Sequence, residues 1–207
     1  LHKNIINYES VHKLQMPNGM FDYAVMQYYP HGNLKQLAKT KDLSSESIKQ
    51  LINGLFRGLN FLHQHGVIHR DIKPSNILIS ERKGLYTLKI ADFGLSKNIE
   101  SSEMSAVTNS FGGGTLEYSS PEQLLGKPIR LNTDLWAAAV IAYELFVGKI
   151  PFSAAEVTGS AEAKRRLIYQ NIINAPLPPD IELCPAPYDK LISRCLIKDP
   201  DKRIKTS

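Results

Sequence analysis

The sequence predicts an α+β fold that is mostly helical, with a strand-rich beginning and short β-hairpins. Two observations predict this fold. Aromatic and β-branched residues are concentrated in the first 32 residues, whereas apolar residues recur at helical spacing in several later segments. The chain has 207 residues, of which 43% are hydrophobic and 22% are charged. This balance is typical of a globular protein with one substantial core.

A β-hairpin is predicted at the start of the chain. Residues 21–29 have the aromatic and β-branched enrichment of a strand. A Pro-Asn-Gly turn at residues 17–19 joins this segment to an earlier apolar run around Val11 and Leu14. After Gly32 the pattern becomes helical.

The first predicted helix begins at Ser44 or Ser45, either of which can cap it, and ends at Gly66. Its apolar residues recur at steps of three and four, which gives one core-facing stripe. These residues are Ile48, Leu51, Ile52, Leu55, Leu59 and Leu62.

Two β-like runs follow, at residues 76–79 and 86–90, and a polar turn at residues 80–84 separates them. Residues 96–114 are rich in Ser, Gly and Asn and have little periodicity, so we expect a long functional loop there.

A buried helix is predicted at residues 133–147, because its residues are apolar nearly all round, and Gly148 ends it. Further helices are predicted at residues 161–173 and 187–197, with a proline-rich segment at residues 176–187 between them.

Charge and composition argue against several classes of partner. The net charge of +5 comes from 25 basic and 20 acidic residues that are interspersed, so we do not expect nucleic-acid binding. No apolar run approaches the ~20 residues that cross a bilayer. Cys184 and Cys195 match neither a metal-ligand spacing nor a disulfide framework, so we expect reduced thiols and a cytoplasmic location.

Two sequence motifs whose residues could take part in catalysis flank the predicted hairpin. Residues 69–76 read His-Arg-Asp-Ile-Lys-Pro-Ser-Asn, and residues 92–94 read Asp-Phe-Gly. Either motif alone could be an ordinary surface loop, but their ordered combination is improbable by chance. Together they resemble the catalytic loop and the metal-binding loop of protein kinases. The resemblance implies a protein kinase-like fold, with remnant N-lobe strands and hinge at residues 1–32 and a C-lobe at residues 33–207.

The resemblance also implies roles for four residues. Asp71 and Lys73 are the expected catalytic residues: Asp71 accepts the proton of the substrate hydroxyl, and Lys73 offsets charge on the transferred phosphoryl group. Asn76 and Asp92 are the expected Mg²⁺ ligands, and Lys73, Asn76 and Asp92 are expected to contact ATP. Oxygen ligands suit this hard cation.

By the same resemblance, residues 25–29 form the strand and hinge between two lobes. Met26 is then the gatekeeper, and the backbone groups of Gln27 and Tyr29 meet adenine. Asn33 contacts the ribose, and Leu78 forms an apolar floor under the adenine ring. Packing in the core would also account for Met26 and Leu78.

Several scaffold residues fit the same family. The Ser-Pro-Glu sequence at residues 120–122 stands where kinases have Ala-Pro-Glu. Glu122 is expected to pair with Arg203, and Asp134 to support the backbone of the catalytic loop. His69 and Phe93 are expected to stack in the core.

Substrate class and control follow from the catalytic loop. Lys73, two residues after Asp71, is the pattern of serine/threonine kinases, so a protein Ser or Thr is the expected acceptor. Arg70 resembles the arginine of kinases that are switched by phosphorylation of the activation loop. An activating kinase or self-phosphorylation would act on residues 96–115, with Ser105, Thr108 and Ser110 as candidates.

The resemblance leaves alternatives open. Nothing upstream of His2 supplies a glycine-rich loop or a strand lysine, so we expect this chain alone to be inactive. A pseudokinase or scaffold that binds partners without catalysis is the first alternative. A phosphotransferase acting on a small molecule is the second, although residues 114–122 resemble a peptide-positioning loop and argue against it.

Overall fold

A computed structural model of the chain describes residues 2–93, 97–98, 116–154 and 158–205, with the backbone alone at 97–98. The predicted loop at residues 96–114 therefore lies outside the described residues, apart from Lys97 and Asn98, which form a short strand. The candidate phosphorylation sites Ser105, Thr108 and Ser110 also lie outside them.

The N-terminal hairpin is confirmed. Strand β1 (Tyr8–Met16) pairs antiparallel with strand β2 (Gly19–Met26). β2 ends at Met26, three residues earlier than predicted. Most residues of both strands are exposed, and Met26 is 43% exposed. The interpretation of Met26 as a core residue was therefore wrong.

Two helices follow the hairpin. Helix α1 (Leu34–Thr40) was not predicted, and Asn33 caps it. Helix α2 (Ser45–Gln64) has Ser44 as its N-cap, as predicted. Gly66 follows with a φ of 69°, a left-handed conformation that glycine adopts without steric cost.

The next segments form two small sheets. Strand β3 (Val67–Ile68) pairs with β6 (Lys97–Asn98), and β4 (Ile77–Arg82) pairs with β5 (Leu85–Ile90). The predicted β4–β5 hairpin is confirmed, but its turn is shorter than expected. Lys83 and Gly84 both have positive φ values, of 55° and 79°, which is typical of a two-residue hairpin turn.

The remaining helices are α3 (Pro121–Leu124), α4 (Leu131–Val147), α5 (Ala161–Asn174) and α6 (Tyr188–Cys195). The last three were predicted, with small errors at their ends. Helix α4 is buried over most of its length and packs against α2 and α6 at the centre of the core. Its burial on all sides explains why its sequence is apolar all round.

In the part of the chain that the structure describes, no helix is both long enough and apolar enough to span a membrane.

Candidate active site

Three polar side chains of residues 69–76 form one hydrogen-bonded group. Lys73 Nζ lies 2.7 Å from Asp71 Oδ2, and Asn76 Nδ2 donates to the same oxygen at 2.9 Å. Asn76 Nδ2 also donates to the backbone carbonyl of Asp71 at 2.9 Å. A short 3-10 turn, Pro74–Asn76, folds the chain back so that these residues meet. The Asp71 carboxylate is thus held in one orientation by two donors.

The orientation of the Asn76 amide matters for cation binding. Because Nδ2 faces Asp71, Oδ1 is the atom of this side chain that could bind a cation. Its hydrogen bond from the Ser75 hydroxyl is long, at 3.4 Å. Such a bond is weak and easily exchanged for a metal ligand.

The β4–β5 hairpin brings Asp92 next to this group. Ile77 and Ile90 are paired across the hairpin, and the backbone nitrogen of Ala91 donates to the carbonyl of Asn76 at 2.9 Å. Asp92, the next residue, is exposed and has a φ of 64°. A left-handed non-glycine residue carries strain, and such residues cluster at functional sites.

Asp134, near the start of α4, holds the backbone that precedes Asp71. Its Oδ2 accepts a hydrogen bond from the backbone nitrogen of His69 at 2.9 Å, and its Oδ1 accepts one from that of Arg70 at 2.8 Å. The predicted support of this loop is confirmed. His63 of α2, which is buried, also bonds to Oδ2 at 2.9 Å.

A second contact ties the two motifs together. The rings of His69 and Phe93 lie 5.1 Å apart between centroids at an interplanar angle of 52°, so the two residues are in contact but tilted, and not stacked as predicted. His69 Nε2 also bonds to the carbonyl of Ala91 at 2.9 Å. These two contacts join the loops before and after the hairpin.

The residues expected to contact a nucleotide base and ribose lie at different depths. Tyr29 is buried with Ile6 and Ala91, and Leu78 packs against this cluster. Gln27, like Met26, is exposed. The Asn33 side chain accepts a hydrogen bond from the backbone of Gln36 as the cap of α1, and its backbone bridges to Leu78.

The donor set can be compared with the needs of Mg²⁺. Among the described residues there is no group of three or more His, Cys, Asp or Glu that could hold a metal ion. Mg²⁺ bound with nucleotide phosphates needs no such cluster, because one or two protein oxygens suffice beside phosphates and waters. Asn76 Oδ1 and the Asp92 carboxylate fit that requirement.

A cavity of about 520 Å³ opens beside Lys73. Its wall includes Glu117, Tyr118 and Glu144, and the Tyr118 hydroxyl donates to Glu144 Oε2 at 2.6 Å. Burial, and then the charge of Glu144, raises the pKa of Tyr118. Burial also raises the pKa of Glu144, although the hydrogen bond from Tyr118 opposes this effect. The cavity is large enough for an extended side chain next to Lys73.

A buried ion pair fixes the base of this region. Arg203 donates to both oxygens of Glu122, at 2.6 and 2.8 Å, and Thr133 Oγ1 adds a third bond at 2.8 Å. Burial alone would raise the pKa of Glu122, but the hydrogen bonds and charge of Arg203 outweigh it and hold the pKa below its ordinary value. The predicted pair is confirmed.

The sequence analysis missed two polar residues, one that contacts the catalytic loop and one that contacts Asp134, which supports it. His63 contacts Asp134, which lies 71 positions away, and no local pattern signals such a contact. Gln123 bonds to the backbone of Arg70. The Ser120-x-x-Gln123 spacing of a helix capping box was a signal for the position of Gln123 at a helix start, but not for this bond.

Comparison with known proteins places these motifs in context. A family model described as the protein kinase domain matches residues 1–207. The serine/threonine-protein kinase PknB of Mycolicibacterium smegmatis is 30% identical over 210 residues, which cover 100% of this chain and 32% of that protein. PknB of Mycobacterium tuberculosis is 30% identical over 209 residues, with the same coverage.

A probable serine/threonine-protein kinase of Clostridium acetobutylicum is 31% identical over 194 residues, which cover 92% of this chain and 28% of that protein. The chain thus spans about a third of the length of the curated relatives it matches.

Proposed function

Because the chain belongs to the protein kinase domain family, we propose that it is part of a serine/threonine kinase. The reaction transfers the γ-phosphate of ATP to a Ser or Thr hydroxyl of a protein. The observation that carries this proposal is the group formed by Asp71, Lys73 and Asn76, with Asp92 placed beside it by the hairpin.

In the proposed mechanism, Asp71 Oδ atoms orient the substrate hydroxyl and take its proton as the new O–P bond forms. The bond between the γ-phosphorus and its bridging oxygen breaks, and ADP leaves. Lys73, 2.7 Å from Asp71, lies where its charge can stabilise the transferred phosphoryl group. Most of the rate enhancement in such a reaction comes from this positioning and charge stabilisation.

Asn76 and Asp92 are the proposed ligands of Mg²⁺, which would neutralise the charge of the phosphates when bound. The Asn76 amide is already oriented by Asp71, so its oxygen needs no reorganisation to bind a cation. Asp92 is exposed and is held next to Asn76 by the backbone bond from Ala91.

For the nucleotide, we propose that residues 1–32 contribute strands and a hinge and that residues 33–207 form the helical lobe. Tyr29 and Leu78 lie in one apolar cluster that could form the floor under adenine. Met26 as gatekeeper, the backbone of Gln27 at the base and Asn33 at the ribose complete the proposed site.

Two features support Ser/Thr specificity and control by phosphorylation. Lys73 follows Asp71 by two positions, and the relatives described above are named as serine/threonine kinases. Arg70 Nε is buried and has no hydrogen-bond partner in the described part of the chain. We propose that Arg70 binds the phosphate of a phosphorylated residue among residues 96–115. The phosphate would be added by the protein itself or by an activating kinase.

The two cysteines support a cytoplasmic location for this part of the protein. Both are buried as free thiols, and burial raises the pKa of Cys184 to about 11 and that of Cys195 to about 12. Such thiols stay protonated and unreactive. Buried thiols without a disulfide and the proposed use of ATP fit the cytoplasm.

Transfer of labelled phosphate tests the proposal. The intact protein is incubated with Mg²⁺, ATP and Ser- or Thr-containing peptides, next to Asp71→Asn and a control, Asp22→Asn, on the exposed hairpin. We expect transfer by the wild type and the control and a loss of at least about 100-fold in Asp71→Asn. A wild type that binds ATP but transfers nothing would instead favour the pseudokinase.

A further inference from the structure

Gln123 forms a hydrogen bond that joins α3 to the catalytic loop. Its Nε2 donates to the backbone carbonyl of Arg70 at 2.8 Å, across 53 positions of sequence. Arg70 immediately precedes Asp71 and has a φ of 71°, in the left-handed region that non-glycine residues rarely adopt. The bond therefore acts on a strained residue next to the proposed catalytic carboxylate.

The contacts of the Gln123 amide with Ser120 determine that its nitrogen, and not its oxygen, faces Arg70. Its Oε1 accepts hydrogen bonds from the backbone nitrogen of Ser120 at 3.0 Å and from the Ser120 hydroxyl at 3.2 Å. A backbone N–H can only donate, so the atom that faces it must be the oxygen. The nitrogen of the same amide then points to the Arg70 carbonyl, where it is the donor that this acceptor needs.

Both backbone polar groups of Arg70 are consequently held by side chains from other helices. Asp134 of α4 accepts from its nitrogen at 2.8 Å, and Gln123 of α3 donates to its carbonyl. A left-handed residue persists only where its surroundings determine its conformation. These two contacts fix the backbone conformation of Arg70. The direction in which the next residue, Asp71, points depends on that conformation.

Capping of α3 does not require the contact with Arg70. The capping box uses Gln123 Oε1 on the backbone of Ser120, and a glutamate could serve there equally well. A glutamate has no N–H to give to the Arg70 carbonyl. The amide is thus needed for the second bond and not for the first.

We propose that Gln123 is a positioning residue for phosphate transfer: it clamps the Arg70 carbonyl and so holds Asp71 in the orientation that Lys73 and Asn76 share. The inference rests on the proposed function. Helix α3 begins three residues after Tyr118, which lines the cavity beside Lys73, so the clamp lies close in sequence to that wall.

Two substitutions in the intact protein separate this role from capping. Gln123→Glu keeps the acceptor for Ser120 and removes the donor to Arg70, whereas Gln123→Met removes both. Gln170→Glu and Gln170→Met, on the exposed surface of α5, are the matched controls. The measurements are kcat and KM for ATP, the melting temperature, and hydrogen exchange of the backbone amides of residues 69–73.

We expect both Gln123 variants to lower kcat by about 10- to 100-fold, the cost of a misplaced catalytic group, with KM for ATP changed less than about twofold. Gln123→Glu should lower the melting temperature less than Gln123→Met, because it keeps the capping bonds, while exchange at residues 69–73 becomes faster. The controls should match the wild type in every measurement.

The inference is overturned if Gln123→Glu keeps kcat within about twofold of the wild type, or if exchange at residues 69–73 does not change. A loss confined to Gln123→Met also overturns it, since that result assigns Gln123 to capping alone. A wild type without transfer overturns the proposed function itself, which is distinct from an active wild type that tolerates Gln123→Glu.

Discussion

Asp134 Oδ1 lies 2.8 Å from the backbone nitrogen of Arg70 and accepts its hydrogen bond in a buried site at the start of α4. The other carboxylate oxygen accepts from His69 at 2.9 Å. One side chain of the most buried helix thus holds two consecutive peptide groups of the loop that carries Asp71. The position of the proposed catalytic carboxylate is therefore set by the core of the protein.

Replacing Asp134 by asparagine should impair transfer more than nucleotide binding. One of its two acceptors becomes a donor, which faces a backbone N–H and leaves it unpaired. We expect kcat to fall by about 10- to 100-fold with little change in KM for ATP, as steady-state kinetics will measure. Asp22→Asn is the control, and a kcat equal to that of the wild type would contradict the assigned role.

The pair of Glu122 and Arg203 should be strongly coupled in stability. Removal of either partner leaves a buried charge, so Glu122→Met and Arg203→Met should each lower the free energy of unfolding by about 3–5 kcal/mol. The double variant should cost much less than the sum of the two. Urea unfolding of the four proteins gives the coupling directly, and additive losses would show that the pair does not act as a unit.

Acid should weaken this pair. The pKa of Glu122 is lower in the folded state than its ordinary value of 4.5, so the folded state binds fewer protons than the unfolded state in that range. Its stabilising contribution is complete above pH 4.5 and is lost as the pH falls through the folded-state pKa. We expect the unfolding free energy of the wild type to fall more steeply below pH 4.5 than that of the double Met variant. The same pH dependence of the unfolding free energy in both proteins would contradict a lowered pKa of Glu122.

We expect the hydroxyl of Tyr118 to affect the binding of a peptide whose side chain enters the cavity beside Lys73, and not the binding of ATP. Its 2.6 Å bond fixes Glu144 in the wall of the cavity beside Lys73. Tyr118→Phe removes a hydrogen bond to a carboxyl group, worth about 1.5–3 kcal/mol when that group is charged, so we expect KM for peptide to rise several-fold. KM for ATP should stay constant. A rise in KM for both peptide and ATP would show that Tyr118 stabilises the fold and has no specific role at the cavity.

Much of this fold could be predicted because its signals are local. The α2 stripe, the apolar character of α4 and the β-like runs of β4 and β5 each lie within one element. Helix α1 was missed because it has only seven residues, too few for a periodicity to be distinct. The end of β2 was misplaced because exposed strands and extended hinges share the same residue types.

The site was only partly accessible from sequence. The motifs identified Asp71, Lys73, Asn76 and Asp92 as a group, but of the side chains that hold the catalytic loop only Asp134 was predicted. The contacts of Gln123 with Arg70 and of His63 with Asp134 span 53 and 71 positions. Such contacts depend on how the helices pack. Glutamine and histidine are ordinary residues at these positions, so the sequence gives no sign of the contacts.

The proposed Mg²⁺ site is tested most directly by measuring cation binding by Asn76 and Asp92 in the presence of nucleotide. The free Mn²⁺ signal in electron paramagnetic resonance measures it for the intact protein with a non-hydrolysable ATP analogue. We expect the wild type and Asp22→Asn to remove this signal, and Asn76→Ala and Asp92→Asn to weaken Mn²⁺ binding by at least about tenfold. Equal binding by all four proteins would contradict the assignment of these residues as the metal site.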